Sequence, residues 1–291
     1  MDNGIDFGNG KKKNNIFARI FTSKFFWLVL IFAAIIVAVM YYASMQIEKA
    51  RSTYAGLPAE GGYAYSDLSY EYFYRDGYNF LAYEDDEYYT RRGIDVSEFQ
   101  GGIDWKLVAE CGVQFVMVRL GYTGNNTGIM NLDAYFETNV KGAREAGLDV
   151  GVYYFSQARS VEEAIAEAQF VCKNIRNKKI NMPVAFDMEP LTGTESDRIH
   201  GLTMREITEI SDAFCDIVEK HGYEAMIYGN PTWIYKRLNL GLLTGRNLWL
   251  AHYTDFSDFP YRYSFWQYTD RGTIDGIEGA VDLDIQFIKK D

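Results

Sequence analysis

Cysteine, histidine and proline are scarce in this chain of 291 residues, numbering three, three and five. Cys111, Cys172 and Cys215 are odd in number and widely spaced, which argues against a disulfide framework or a zinc motif and leaves them as small interior hydrophobes. His200, His221 and His252 include no pair at helical ligand spacing, so no metal site is expected, and no cofactor. Positive charge is short too. Against 29 Lys and Arg stand 40 Asp and Glu, for a net charge of −11 and a pI near 4.9. A nucleic-acid partner is thereby set aside, because such proteins present a basic face that replaces the counterions of phosphate. What is abundant is apolar surface: 48% of the residues are hydrophobic, too many for a disordered protein and enough for one large core.

One run breaks the pattern of a soluble chain. From Phe25 to Ala43 there are 19 residues without a charge, which as a helix span roughly 29 Å, the thickness of a bilayer core. Residues 25–43 are therefore expected to cross a membrane. Lys11, Lys12, Lys13, Arg19 and Lys24 precede the run, while Trp27, Tyr41 and Tyr42 lie near its ends as interfacial aromatics do. The expected topology is a single pass in the cell membrane, with residues 1–24 as a cytoplasmic basic tail and the remainder outside. A cleaved signal peptide would have a shorter apolar region and a better cleavage site than Ala43-Ser44-Met45. The tail carries five basic and two acidic side chains, so the part beyond the membrane holds a charge of −14.

Residues 44–91 differ in composition and read as an acidic stem. Nine tyrosines fall between Tyr63 and Tyr89, interleaved with Asp67, Glu71, Asp76 and the run Glu84–Glu87. Tyr70, Tyr72 and Tyr74 alternate, Asp76-Gly77 supplies a turn, and Tyr78, Phe80 and Ala82 follow, which predicts a short hairpin. The stem reads as a flexible spacer or, in its functional reading, as a clasp on the following domain or a docking strip for a membrane or envelope protein.

From Arg92 to the end the rhythm changes to short β-branched or aromatic runs alternating with amphipathic stretches closed by glycine, the mark of β/α units. Strands are predicted at Gly93–Val96, Phe115–Leu120, Asp149–Phe155, Val184–Glu189 and Ala225–Tyr228. Helices are predicted after Asp104, over Leu132–Ala146, after Ser160 and Thr203 with their capping-box partners Glu163 and Glu206, and from Pro231. Three strands joined by loops alone follow, at Asn247–His252, Tyr263–Tyr268 and Ala280–Phe287. The expected fold is an α/β barrel, TIM-like and flattened, with five β/α units and then three bare strands, preceded by the transmembrane helix and the stem. Chemistry in such barrels sits at the C-terminal strand ends.

Asp95, Asp187, Glu189 and Asp282 all fall at or near a strand terminus. Residues two apart on a strand share a face, with Cα atoms roughly 6.5 Å apart, so Asp187 and Glu189 are expected to share one cleft. An apolar strand ending in two acids is costly unless the site uses them. Glycoside hydrolysis needs such a pair: a protonated acid for the leaving oxygen and an anion for the positive charge developing at the sugar carbon. A calcium or magnesium cage is the less favoured reading of the same acids, since such sites usually draw their ligands from one compact run.

These residues resemble the family 25 glycoside hydrolase lysozymes. The resemblance covers nearly all of residues 92–291. It rests on Gly-Ile-Asp-Val-Ser (93–97), Gln100-Gly101, Ile103-Asp104-Trp105, Ala146-Gly147-Leu148, Gly151-Val-Tyr-Tyr-Phe155 and Asp187-Met-Glu189. It continues through Ile227-Tyr228, Leu248-Trp249-Leu250-Ala251, Phe265-Trp266-Gln267-Tyr268, Gly276-Ile277 and Val281-Asp282. It implies a flattened barrel of eight strands and five helices, peptidoglycan glycan strands as partner, and cleavage between N-acetylmuramic acid and N-acetylglucosamine. Two positions depart from the family pattern: Arg119 stands where many members have lysine, and Tyr154 where histidine is frequent.

Four acids are accordingly the candidate catalytic residues, with Glu189 assigned as the least solvated of them, whose proton is held near neutral pH. Tyr122, Tyr153, Phe155, Tyr228, Trp249 and Trp266 are candidates for stacking on sugars. Arg119 is the candidate for an acetyl or carboxyl group of the substrate, and Gln267 for a neutral hydrogen bond. A glycan-binding module without catalysis is the alternative.

Overall fold

The computed structural model describes Leu28 and residues 31–41, 62–191 and 197–290. Residues 31–41 are helical, with their apolar side chains exposed. The rest of the expected 25–43 span, the tail 1–24 and residues 44–61 of the stem lie outside the described residues. Among those that are described, no helix is long and apolar enough to cross a membrane.

From residue 62 onward the chain builds a closed barrel. Its elements are β1 (Phe73–Arg75), β2 (Leu81–Tyr83), β3 (Tyr88–Val96), α1 (Trp105–Glu110), β4 (Phe115–Thr123), β5 (Met130–Leu132), α2 (Phe136–Glu145), β6 (Asp149–Phe155) and α3 (Val161–Ile175). There follow β7 (Val184–Asp187), α4 (Met204–Lys220), β8 (Ala225–Gly229), α5 (Pro231–Arg237), β9 (Asn247–Ala251), β10 (Phe265–Gly272) and β11 (Val281–Lys289). Eight strands run β3, β11, β10, β9, β8, β7, β6, β4 around the sheet; β3 pairs with β4 to close it, and β5 adds an edge to β4. Strand β11 is antiparallel to both neighbours, whereas the others run parallel. The five β/α units and three bare strands thus stand where the sequence rhythm put them.

Local chemistry sets the element ends. Asp104 accepts from the amides of Lys106 and Leu107 to start α1, and Thr203 and Glu206 close a reciprocal capping box on α4. At α3 only half of the expected box forms. Ser160 caps the Glu163 amide, but the Glu163 carboxylate reaches Arg198 and the Arg159 amide instead. Helix α2 begins four residues later than its apolar periodicity suggested, because Met130–Leu132 pairs with β4 and Asp133 turns the chain by accepting from the Tyr135 amide.

Strands β9 to β11 have no helix behind them, yet their outward side chains are apolar. Residues 62–91 provide the cover. In this hairpin Asn79 takes a left-handed φ of 63°, and Asp76 accepts from the amides of Tyr78 and Phe80. Phe73 packs 4.7 Å from Tyr83 and 5.6 Å from Trp266, ring centre to ring centre, and Tyr83 lies 5.7 Å from Phe287. Tyr63, Phe80 and Tyr83 are buried, while Tyr65, Tyr70, Tyr72, Tyr74 and Tyr78 face solvent. From residue 62 on, the stem is therefore a layer of the barrel domain, and β3 itself starts at Tyr88 because it pairs with β11 down to Lys289.

The barrel interior is filled by Phe115, Met117, Met226, Trp249 and Phe265 among others. Gly93 makes this packing possible. A Cβ there would sit 2.1 Å from the Phe115 ring, which is fully buried and has no room to retreat. Gly93→Ala is expected to destabilise the domain by about 1–3 kcal/mol through overpacking, read as a lowered thermal midpoint; an unchanged midpoint would show that the ring can shift freely.

Candidate active site

Strand register gathers the acids at one end of the barrel. Asp187 is the last residue of β7, flanked by Phe155 on β6 and Tyr228 on β8. Strand β7 stops at Asp187, two residues short of the predicted end, so Glu189 sits just beyond the strand; its backbone carbonyl accepts from Gln157 Nε2 at 3.1 Å. Asp95 on β3 lies directly opposite Asp282 on β11. All four predicted acids thus reach the same mouth.

A fifth acid joins them. Asp284 is fully buried two residues along β11 from Asp282 and accepts from Trp249 Nε1 at 2.8 Å. Its other oxygen, Oδ2, is buried with no hydrogen-bond partner in the protein, and its carboxyl lies within the electrostatic reach of Asp95 and Asp282. The i, i+2 spacing used for Asp187 and Glu189 marks it equally well, and reasoning from the sequence passed over it.

Burial is the leading cause of every shift here, and like charge adds to it. Asp95 is held well above the usual carboxylate range by desolvation and by Asp282 and Asp284; Asp284 is raised by desolvation and Asp282. Asp282 is pushed up to about 6 by desolvation and the charge of Asp270. Glu189 is pushed up to about 7 by desolvation. Asp187 is raised by burial and by Glu189, with Arg119 acting in the opposite direction. The expectation that the least solvated acid would be Glu189 is corrected: Asp187 at 6% and Asp95 at 5% exposure lie deeper, because the barrel wall closes over strand residues and leaves the post-strand Glu189 half-buried.

Gln267 ties the cluster together. Its Nε2 donates to Asp95 Oδ2 at 2.6 Å, and its Oε1 accepts from the hydroxyls of Tyr228 at 2.9 Å and Tyr253 at 3.0 Å. Its carbonyl is thus engaged within the protein. Tyr253, in the loop after β9 and half exposed, was missed because nothing periodic marks a loop residue. Tyr153 stands partly buried within the field of Asp95, Asp187 and Asp282, its ring 5.9 Å from Trp249. Phe155 and Tyr122 are also partly buried at the mouth.

Three predicted sugar contacts take other roles. Trp249 is 1% exposed and forms the floor beneath the acids. Trp266 is fully buried on the outer face of β10 under the hairpin, with its Nε1 donating to the His252 carbonyl. Its neighbours Phe265 and Gln267 point inward, and strand alternation forces it out. Arg119 donates from Nε to Asp133 at 2.7 Å and from Nη2 to Glu98 at 2.9 Å, and it lies between the rings of Phe99 and Tyr122. It is a paired structural cation whose field reaches Asp187, not a free hand for the substrate. Among the described residues no group of three or more His, Cys, Asp or Glu is arranged to hold a metal ion.

The chain that builds this barrel matches a known family. The model for glycosyl hydrolases family 25 matches residues 94–277, and the chain belongs to that family. It is 30% identical over 203 residues to the uncharacterized protein YegX of Escherichia coli, covering 68% of this chain and 70% of that one. It is 26% identical over 194 residues to the autolytic lysozyme of Clostridium acetobutylicum, covering 66% of this chain and 55% of the lysozyme. Among solved structures it shares its fold with the modular autolysin LytC of Streptococcus pneumoniae in complex with a synthetic peptidoglycan ligand, at a TM-score of 0.61 and 24% identity. That match covers 78% of this chain but only 52% of the autolysin.

The raised carboxyls set the pH response of stability. Each binds its proton more tightly when folded than when unfolded, so its contribution is full below the ordinary values of 3.8 for Asp and 4.5 for Glu and is lost as pH rises through the folded value. The thermal midpoint is expected to rise on acidification from about pH 7 to about pH 5. In Asp284→Asn, which removes one buried charge and keeps an acceptor for Trp249, that rise shrinks. A midpoint that falls across the same window would contradict the upward shift of these buried carboxyls.

Proposed function

We propose that this chain is a membrane-anchored peptidoglycan hydrolase that cuts the β-1,4 bond between N-acetylmuramic acid and N-acetylglucosamine with retention at the anomeric carbon. The observation that carries the reading is the pair Asp187 and Glu189 at one barrel end, both desolvated and with Glu189 near 7. Membership of a lysozyme-containing family and the peptidoglycan ligand of the pneumococcal autolysin support the same substrate class.

Glu189, protonated near neutral pH, donates to the glycosidic oxygen as the bond to the anomeric carbon breaks. The 2-acetamido oxygen of the same sugar attacks that carbon and closes a positively charged ring. Asp187 is suited to hold the acetamido group, since its Oδ1 is buried with no hydrogen-bond partner in the protein and the sugar amide N–H supplies a donor. Water, deprotonated by Glu189, then opens the ring from the face that the leaving group vacated. Two inversions give net retention. Asp95 and Asp282 border the sugar and tune the protonation of the pair. The positive field of Arg119 favours the ionised form of Asp187 over that of Glu189.

The anchor rests on the charge-free run 25–43 and the basic residues before it. It places the catalytic domain outside the cell membrane, facing the wall. External protease on intact protoplasts is expected to release the catalytic domain, and protection of that domain would exclude this topology.

Incubating the purified full chain with cell walls is expected to create new reducing ends, with the β-anomer formed first by NMR. Glu189→Gln should lower the rate about 10²- to 10⁴-fold without loss of wall binding, and the wild-type rate should fall above about pH 7 as the acid loses its proton. Wild-type hydrolysis by the variant, or inversion in the product, would overturn the assignment; wall binding with no reducing ends would identify a binding module instead.

A further inference from the structure

We propose that a cavity beside the acid cluster receives the peptide attached to the lactyl group of N-acetylmuramic acid, and that the N-terminal hairpin supplies one of its walls. The inference rests on the glycan reading above. The cavity, about 650 Å³, opens between the hairpin turn and the segments that follow β9 and β10, a size within the range of ligand sites. Arg75, Tyr253, Asp255, Tyr268, Asp270 and Arg271 stand in its walls. Arg75 comes from β1, in the hairpin that covers the bare strands of the barrel.

None of the catalytic acids lines the cavity, yet it abuts them. Tyr253 is the shared edge, since its hydroxyl donates to Gln267, which donates to Asp95. Asp270, on the far side of that edge, acts electrostatically on Asp282. A peptide that leaves a muramic acid bound over the acids has only one ring to cross. Three extended residues reach roughly 10 Å.

The chemistry of the walls selects a peptide over more sugar. Sugars stack on bare aromatic faces, and here the guanidinium of Arg75 lies over the Tyr268 ring at 5.4 Å while that of Arg92 lies over Tyr78 at 4.8 Å. What the cavity offers is charge of both signs. Arg75 pairs with Asp255, and Arg271, whose side chain is 87% exposed, lies 3.6 Å from Asp270. N-acetylglucosamine carries no charge. A stem peptide carries carboxylates for arginine forks and, where its third residue is a diamino acid, an ammonium for the aspartates.

The test measures binding to the full chain in detergent micelles by calorimetry, using N-acetylmuramoyl-L-alanyl-D-isoglutamyl-L-lysine, N-acetylmuramic acid and a peptide-free glycan tetrasaccharide. The peptide-bearing sugar is expected to bind about tenfold more tightly than N-acetylmuramic acid, and the double variant Arg75→Ala, Arg271→Ala to abolish that difference. Arg271→Ala alone, at a side chain with little burial to disturb folding, should reduce the difference in the same direction. Equal affinities in the wild type, or a difference that survives the double variant, overturn the proposal. So does a tetrasaccharide affinity that the double variant removes, which would mark a sugar subsite. A wild-type chain that shows the binding difference but cleaves no wall overturns the glycosidase reading alone.

Discussion

Carboxyls brought together inside a protein either separate or keep their protons, and this barrel leaves them no way to separate. Closure through β3 and β4, with β11 antiparallel beside β3, sets Asp95 against Asp282 and drives Asp284 into the floor. Donors are rationed accordingly. Gln267 gives one N–H to Asp95, and Trp249 gives one to Asp284. The nearby cation, Arg119, is already balanced by Asp133 and Glu98, so it biases Asp187 without discharging the cluster. Desolvation is what raises the carboxyl of Glu189.

Much of this was legible in the sequence because it follows from alternation and capping. The rhythm of β-branched runs and glycine-closed amphipathic stretches located all eight barrel strands, and Asp104, Thr203 and Pro231 marked helix starts that the structure keeps. The same alternation, applied further, would have prevented two misplacements. Trp266 and Gln267 are adjacent on one strand and cannot both face the mouth, and Asp284 shares the parity of Asp282. What alternation cannot reveal is how a cation is partnered, since Glu98 and Asp133 approach Arg119 from loops.

The hairpin shows how a missing element is made good. Bare strands β9 to β11 lack the helices that cover the rest of the barrel, and Trp266, Ile285 and Phe287 on their outer faces are nevertheless buried. The tyrosine-rich segment supplies the second layer that any one-sided apolar sheet requires. Its buried rings belong to that layer, while its exposed ones remain a separate surface. Composition alone blurred this distinction, because tyrosine serves equally well with its ring in apolar packing and its hydroxyl in water.

The path of the chain through this layer has a directional consequence. Tyr63 donates to the carbonyl of Arg246, just before β9 begins, and Tyr88 pairs with Lys289 at the close of β11. Tyr63 and the close of β11 therefore both lie at the pole opposite the acids, which leaves the acid mouth clear of both segments.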